Sequence, residues 1–426
     1  LLNRPPHEAN VAEQTEHSIN GGGLKFDYFS PNEKHRFNVF ASAQHINRDS
    51  YYGGGQDPNA YGNTTDLNWM AGSQYVYSFG KCIFMPADLT AGIEFNQDKL
   101  EDNMWGYHRT VDQKVNIGSA FFQNEWKNEH WGFLIGGRLD KHNLIDHVIF
   151  SPRANLRYNP TENINLRFSY SSGFRAPQAF DEDLHVENVG GNVAMVELAD
   201  NLKEERSQSL SASADIYHRF GAFQVNFLVE GFYTKLSDVF ALTDGEVVDG
   251  ILTRTRYNAP GARVMGLTLE GKMAYLTKFQ VQAGVTLQQS HYSEPHVWNK
   301  EAPAVKKMMR TPNTYGYFTA TYTPIKPLSI ALSGTYTGSM LVPHEPVPGF
   351  LEKPITVNTK DFFDIGLKAA YDFKLYKSMN LQVNAGVQNI FNAYQNDFDK
   401  GADRDSGYIY GPSLPRSFFA GVKISY

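Results

Sequence analysis

The stretch Ser207-Gln208-Ser209-Leu210-Ser211-Ala212-Ser213-Ala214-Asp215-Ile216-Tyr217 decides how the rest of the chain is read. Leu210, Ala212, Ala214 and Ile216 fall on one face, and Ser209, Ser211, Ser213 and Asp215 on the other. A repeat of two is that of a strand with one apolar and one polar side, whereas an amphipathic helix repeats near 3.6. Outward from this stretch, Ile164, Leu166, Phe168 and Tyr170 alternate with Asn163, Asn165, Arg167 and Ser169. Leu381, Val383, Ala385 and Val387 alternate with Asn380, Gln382, Asn384 and Gln388, and Phe279, Val281, Ala283, Val285 and Leu287 repeat the pattern. No helical stripe of comparable length competes.

Laid end to end, about 17 such segments can be counted, most of roughly 10 to 15 residues. They start near Ser18, His35, Leu67, Ala87, Gln113, Trp131, Ile149, Asn163, Ser207, Phe223, Leu252, Phe279, Asn313, Leu328, Phe362, Asn380 and Pro415. Sandwich strands run about 5 to 6 residues, whereas a tilted strand needs about 9 to 11 to cross a bilayer. The connections are of two kinds. Short turns at 30–33, 127–129, 159–162, 220–221, 277–278, 323–327 and 375–378 alternate with long connections at 48–65, 98–111, 173–206, 241–251, 291–312, 339–361 and 392–414. Only 142–147 is compact where a long one is due. One rim of short turns and one of long loops is how bacterial outer-membrane barrels are built. The expected fold is all-β: a transmembrane antiparallel up-and-down β-barrel.

Composition agrees. The 426 residues are 14% aromatic, mean hydropathy is −0.43, and no run approaches the roughly 18 apolar residues of a spanning helix, which excludes a helical membrane protein. In a barrel, lipid-facing and lumenal residues cancel in any hydropathy window. A net charge of −6 with scattered Lys and Arg argues against nucleic acid as a partner. Cys82 is the one cysteine, so neither an intrachain disulfide nor a thiolate cluster can form. The Leu1-Leu2-Asn3-Arg4 start has no initiating Met and no signal segment, as expected of a mature or truncated chain. No nucleophile elbow, zinc-helix pair or phosphate-cradling glycine loop is found, and no catalytic role is expected.

Several stretches resemble TonB-dependent receptors. Gly173-Phe174-Arg175-Ala176-Pro177 opens a long connection closed by Asn201-Leu202-Lys203-Glu204-Glu205-Arg206, like that family's FRAP and NPxLxPE pair, here without the prolines of the second motif. Arg256-Tyr257-Asn258-Ala259-Pro260-Gly261-Ala262 running to Gly266-Leu267-Thr268-Leu269-Glu270 is similar to its N-x-G-x-A strand. Asn389-Ile390-Phe391-Asn392 and Gly411-Pro412 to Gly421 resemble its closing signatures.

The resemblance implies a barrel of 22 strands around a plug, with loops that capture a scarce nutrient and a TonB contact that releases it inward. An odd strand count ending at the short-turn rim then places residues 1–15 as the tail of an extracellular loop and 16–426 as the C-terminal part of the barrel. Five strands and the plug are expected upstream. Phe418, Ala420, Val422, Ile424 and Tyr426 share a face of the last segment, and the resemblance makes this aromatic ending an assembly signal. Expected partners are the bilayer and its outer-membrane lipids, the TonB complex through the upstream part, a small nutrient chelate and a surface lipoprotein. A passive porin, an outer-membrane phospholipase or protease, and a soluble β-sandwich or adhesin are the competing readings.

Several loop residues stand out as well, the first of them through the resemblance. Asp181-Glu182-Asp183-Leu184-His185 sets an imidazole where haem receptors of the family carry an axial ligand, and a solvated loop histidine is the alternative. Asp397, Asp399, Asp403 and Asp405 offer carboxylates to a hard cation such as Ca²⁺, or pair with Lys400 and Arg404. Trp105, Tyr107 and Trp298, with Tyr51, Tyr52 and Tyr61, stack on a planar or glycan ligand or form the headgroup girdle. The expected cargo is a ferric siderophore, haem or cobalamin, an iron- or cobalt-containing ligand, and no cofactor is required.

Overall fold

The computed structural model describes residues 4–189, 192–376, 378–401 and 403–426. Leu1, Leu2 and Asn3 of the expected loop tail and Lys377 of the expected turn lie outside them. Seventeen long strands follow one another: β1 Val11–Phe29, β2 His35–Gly54, β3 Tyr61–Cys82, β4 Met85–Met104, β5 Arg109–Lys127, β6 Trp131–His142, β7 Ile149–Thr161, β8 Ile164–Arg175, β9 Glu205–Phe220, β10 Phe223–Val248, β11 Ile251–Tyr275, β12 Phe279–His296, β13 Thr314–Ile325, β14 Leu328–Thr337, β15 Phe362–Tyr376, β16 Met379–Gln388 and β17 Ser417–Ser425. Each pairs antiparallel with the next. Three short strands, Glu187–Val189, Asn192–Leu198 and Val305–Lys307, complete a sheet of 20 strands. Among the described residues β1 pairs only with β2 and β17 only with β16, so the sheet is open.

The wall is inverted relative to a soluble protein. Large apolar side chains such as Leu24, Phe122, Ile135 and Phe418 are exposed on its outer face, as a lipid-facing band requires. The buried apolar clusters sit at the loop rim instead, on strand ends and connections; the largest joins Tyr51, Tyr52, Ala60, Met104 and Tyr107 to Val186 and Met195. At the short-turn rim Trp131 stacks on Tyr158 with ring centroids 4.2 Å apart, and Phe84 on Trp126 at 5.6 Å. These rings form an interfacial girdle. The girdle expected of Tyr51, Tyr52 and Tyr107 is therefore corrected: those three are buried at the opposite rim.

Strand ends at the loop rim also depart from expectation. β1 begins at Val11 rather than near Ser18, and the expected loop 241–251 is strand except for the Asp249-Gly250 turn. The expected loops 48–65 and 98–111 shrink to 55–60 and 105–108. Above the lipid both faces meet polar surroundings, so alternation fades while backbone pairing continues; a pattern read from side chains stops too early.

Aromatic rings fix the register within the wall. Phe121 covers Gly92, Tyr317 covers Gly284 and Phe318 covers Gly334, each ring belonging to the residue directly paired with the glycine. A Cβ on Gly92 would lie 2.4 Å from the Phe121 ring and 2.6 Å from the Ser73 carbonyl oxygen, whereas one on Gly118 meets nothing within 4 Å. Gly92→Val is expected to destabilise the barrel by about 1 to 3 kcal/mol and Gly118→Ala to leave it unchanged. Heat-modifiable gel migration of outer-membrane fractions checks both.

Candidate ligand site at the loop rim

The connection from β8 to β9 folds across the mouth of the sheet. Its residues 193–198 run parallel to Ile251–Arg256 of β11. Val186 and Met195 pack on the tyrosines that cap β2 to β5. A four-residue helix, Asp181–Leu184, occupies the centre. Arginines from both sides hold it. Arg48 of β2 donates to Asp181 at 2.6 Å, and Arg109 of β5 donates to the carbonyl oxygens of Asp183 at 2.7 Å and Leu184 at 3.3 Å. From the other side Arg256 of β11 pairs with Asp183, and Arg175 with Glu182. Arg48 and Arg109 each also lie 3.8 Å from the buried Asp102, which accepts a hydrogen bond from Thr64. Asp181, Glu182 and Asp183 thus serve as anchors and do not present free charge to a ligand.

His185 follows this helix. Its Nε2 lies 3.2 Å from Glu13 of β1, and Tyr52 meets its ring edge-on. The Glu13 hydrogen bond holds the imidazole above its ordinary pKa, and the nitrogen facing Glu13 is already engaged. A metal-ligating imidazole must be neutral.

The motif residues close the base of this loop. Glu205 pairs with Arg175 and Arg206 with Phe174 across β8 and β9. Phe174 and Ala176 pack on Ile145 and Ile149, and Pro177 lines a neighbouring cavity. Asn201 is exposed, while Leu202 closes a turn onto Ala199. Asn258 of the third motif clasps Lys203, accepting from its N–H at 2.7 Å and donating to its carbonyl at 3.0 Å. Gly261, at φ 149°, brings β11 so close to β10 that a Cβ would stand 2.6 Å from the Leu236 carbonyl oxygen.

Beside the helix opens a cavity of about 410 Å³. Arg175, Arg254, Arg256 and Arg310 line it together with Phe240, Tyr292 and Trp298. Arg254 is shared by Glu187 at 2.7 Å, Asp244 at 3.0 Å and Glu345 at 3.4 Å. Burial, with Asp244 nearby, pushes Glu345 up to about 7. Trp298 is buried and its indole N–H has no partner among the described residues. Of the other expected aromatics, Tyr107 is committed to the loop core, donating to the Tyr52 carbonyl at 2.6 Å, and Trp105 is exposed on the adjoining turn.

The four aspartates of 397–405 do not converge. Asp397 accepts from the Tyr410 hydroxyl, and Asp399 from the Asp405 N–H and His344. Asp405 accepts the N–H groups of Glu345 and Gly407, and Asp403 is exposed. Among the described residues no group of three or more His, Cys, Asp or Glu could hold a metal ion. Sequence reading missed Arg48, Asp102, Arg109 and Arg254; their one signal was a charge on a strand end, and their partners come from distant segments.

The model of the family described as TonB dependent receptor-like, beta-barrel matches residues 7–390. The chain belongs to that family. No curated protein matches its sequence. Among solved structures, the receptor barrel is similar to a siderophore receptor of Acinetobacter baumannii, with a TM-score of 0.71 at 15% identity, covering 97% of this chain and 63% of that one. It is also similar to a point variant of the ferric enterobactin receptor of Pseudomonas aeruginosa, with a TM-score of 0.70 at 16% identity over 96% of this chain and 61% of that one. An iron transporter of Neisseria meningitidis gives 0.65 at 15%, covering 96% and 63%. The chain thus spans a little under two thirds of the length of these structures, which are receptors and transporters by name.

Two outcomes follow from the anchoring. Arg256→Met strips the buried Asp183 of its guanidinium, an uncompensated charge worth about 3 to 5 kcal/mol. Trypsin is then expected to cut at Lys203 while the barrel stays intact on a gel, and adding Asp183→Asn restores resistance. Because the folded pKa of His185 is raised, its tie to Glu13 contributes fully below the ordinary value near 6.5 and is lost as pH rises through the folded value. Hydrogen exchange of residues 181–187 is expected to quicken on that rise, and His185→Gln to remove the dependence.

Proposed function

We propose that this barrel is the wall and outer mouth of an outer-membrane receptor that binds an anionic ferric chelate of the siderophore class and delivers it to the periplasm. The TonB complex supplies the energy by acting on a part of the receptor upstream of these strands. The observation that carries the reading is the β8–β9 connection, which arginines from opposite walls hold across the mouth. A passive pore gains nothing from such a barrier, whereas a gated receptor needs one. The neighbouring cavity supplies what a chelate of this class requires: guanidinium groups for carboxylate or catecholate oxygens, rings to stack on, and the free Trp298 N–H. Arg175, Arg254 and Arg256 are already matched by carboxylates, and Arg310 donates to the carbonyl oxygens of Gly407 and Ile409, so a ligand enters by exchanging partners rather than by meeting a bare cationic patch. The His185–Glu13 pair disfavours haem.

In the full-length receptor purified in detergent, tryptophan fluorescence is titrated with ferric catecholate and carboxylate siderophores, haem and cobalamin. One ferric chelate is expected to quench the signal saturably at micromolar or lower concentration, and Trp298→Phe to abolish most of the quench. Saturable haem binding that disappears in His185→Ala would reverse the assignment of cargo. Steady conductance through planar bilayers without TonB would establish a pore instead.

A further inference from the structure

Three carboxylates hold Arg254, and they are not held alike themselves. Asp244 faces it directly across the β10–β11 pair and accepts from its Nε at 3.0 Å. Glu187 accepts at 2.7 Å from the short strand Glu187–Val189, which pairs with Asn192–Leu198 and through it with β11. Both keep their places as long as the sheet does. Glu345 makes the longest contact, 3.4 Å, and follows the strand Leu341–His344, which pairs with Ile355–Asn358 in a two-stranded sheet separate from the wall. That hairpin is tied to neighbouring loops. His344 stacks on Tyr408 with ring centroids 3.8 Å apart and bonds Asp399 at 2.9 Å, the Glu345 N–H donates to Asp405 at 2.9 Å, and the Arg310 N–H donates to the Leu341 carbonyl at 2.7 Å. Of the three acids on Arg254, Glu345 is the one whose backbone the barrel sheet does not fix.

The surroundings of Glu345 decide what becomes of its charge. Its side chain is only 11% exposed. Asn299 donates to Glu345 at 3.0 Å and to Asp244 at 3.3 Å, which sets these two acids side by side. Asp405 lies against the Glu345 backbone, and His344 of the same hairpin is turned to Asp399. From β12, Tyr292 and His296 join the cavity wall, and burial keeps both neutral by raising the phenol and lowering the imidazole. The remaining guanidinium groups are engaged elsewhere: Arg256 with Asp183, Arg175 with Glu182, and Arg310 with the carbonyl oxygens of Gly407 and Ile409. Among the described residues Arg254 is therefore the one cation that Glu345 pairs with. Burial and the neighbouring Asp244 already push Glu345 up to about 7 against the pull of that guanidinium. Parted from Arg254, in a dry setting among other acids, it takes a proton.

We propose that Glu345 sits on Arg254 in the place of a ligand's anionic oxygen, and that an arriving ferric chelate displaces it, so that each chelate bound brings one proton from solvent onto Glu345. The inference rests on the cargo reading above and adds to it a leaving group and a proton. The guanidinium exchanges one anionic oxygen for another, and the freed carboxylate becomes a neutral acid. The direction of the pH dependence follows. Below about pH 7 Glu345 is already protonated and binding takes up nothing. Above it binding must take up a proton, so affinity falls as pH rises, by at most about tenfold per pH unit.

The test uses the full-length receptor in detergent, titrated with ferric enterobactin and with ferric citrate at pH 6.5, 7.5 and 8.5. Comparing wild type with Glu345→Gln at each pH cancels any titration of the chelate itself. The two proteins are expected to bind alike at pH 6.5. At pH 8.5 the wild type is expected to bind about tenfold more weakly than at pH 6.5, and Glu345→Gln about tenfold more tightly than the wild type. Calorimetry at pH 8 in two buffers of different ionisation heat is expected to show most of one proton more taken up per chelate by the wild type than by the variant. Heat-modifiable migration confirms folding, and Glu345→Ala, which also removes the carboxylate, serves if the glutamine variant does not fold. Saturable binding with the same pH profile and proton uptake in both proteins would overturn the exchange and leave the cargo reading standing. Weaker binding by Glu345→Gln at every pH would also overturn it, since the residue would then hold the ligand directly. If neither chelate binds at any pH, the cargo reading falls and the exchange falls with it.

Discussion

Where a chain crosses hydrocarbon, every backbone N–H and C=O must find its partner within the structure, since no water is there to substitute. In this protein the obligation is met between strands, and other features follow from it. Strands must be long and must pair with their neighbours, so neighbours in sequence are neighbours in the sheet, and among the described residues only the edge strands β1 and β17 pair on one side alone. The face toward lipid must be apolar and the other is free to be polar, which is why Leu210 and Ser211 sit side by side on opposite surfaces. An apolar core within the wall is then impossible, because a single sheet has no second layer to bury against. What core the protein has is displaced to the loops, around Tyr51, Tyr107 and Met195.

This is also why so much of the fold was legible. Alternation at Ser207–Tyr217 and its counterparts reports the lipid face directly, and the strand order follows from turn lengths, so the expected seventeen long strands are the ones found. Legibility ends where lipid ends. At 241–251 no apolar face remains to mark the strand, and the side-chain pattern alone reads the hairpin as a loop. The site was less visible still. Arg48 and Asp181 are separated by 133 residues, and nothing in either neighbourhood announces the other. The motif residues were found, but their work proved mechanical: Asn258 clasps Lys203, and Asn389, in a left-handed conformation at φ 52°, ties the last long loop by donating to Ala393 and Leu414.

The mouth is organised by charge rather than by apolar packing alone. Four arginines from opposite walls converge on one short helix whose acids are too closely spaced to stay there unpaired. A structure held by matched charges can be loosened by a competitor for either partner, which a greasy plug cannot.

The alternating wall has an evolutionary consequence. A position facing lipid asks only for an apolar side chain, and one facing the lumen mostly for a polar one, so a typical site accepts many residues and mutations drift almost without penalty. The exceptions are sparse, such as glycines beneath rings and the asparagines that tie the loops. Two such walls can therefore share a shape with few letters in common, as the TM-score of 0.71 at 15% identity illustrates. Ancestry in these proteins is better traced through those few joints than through the wall between them.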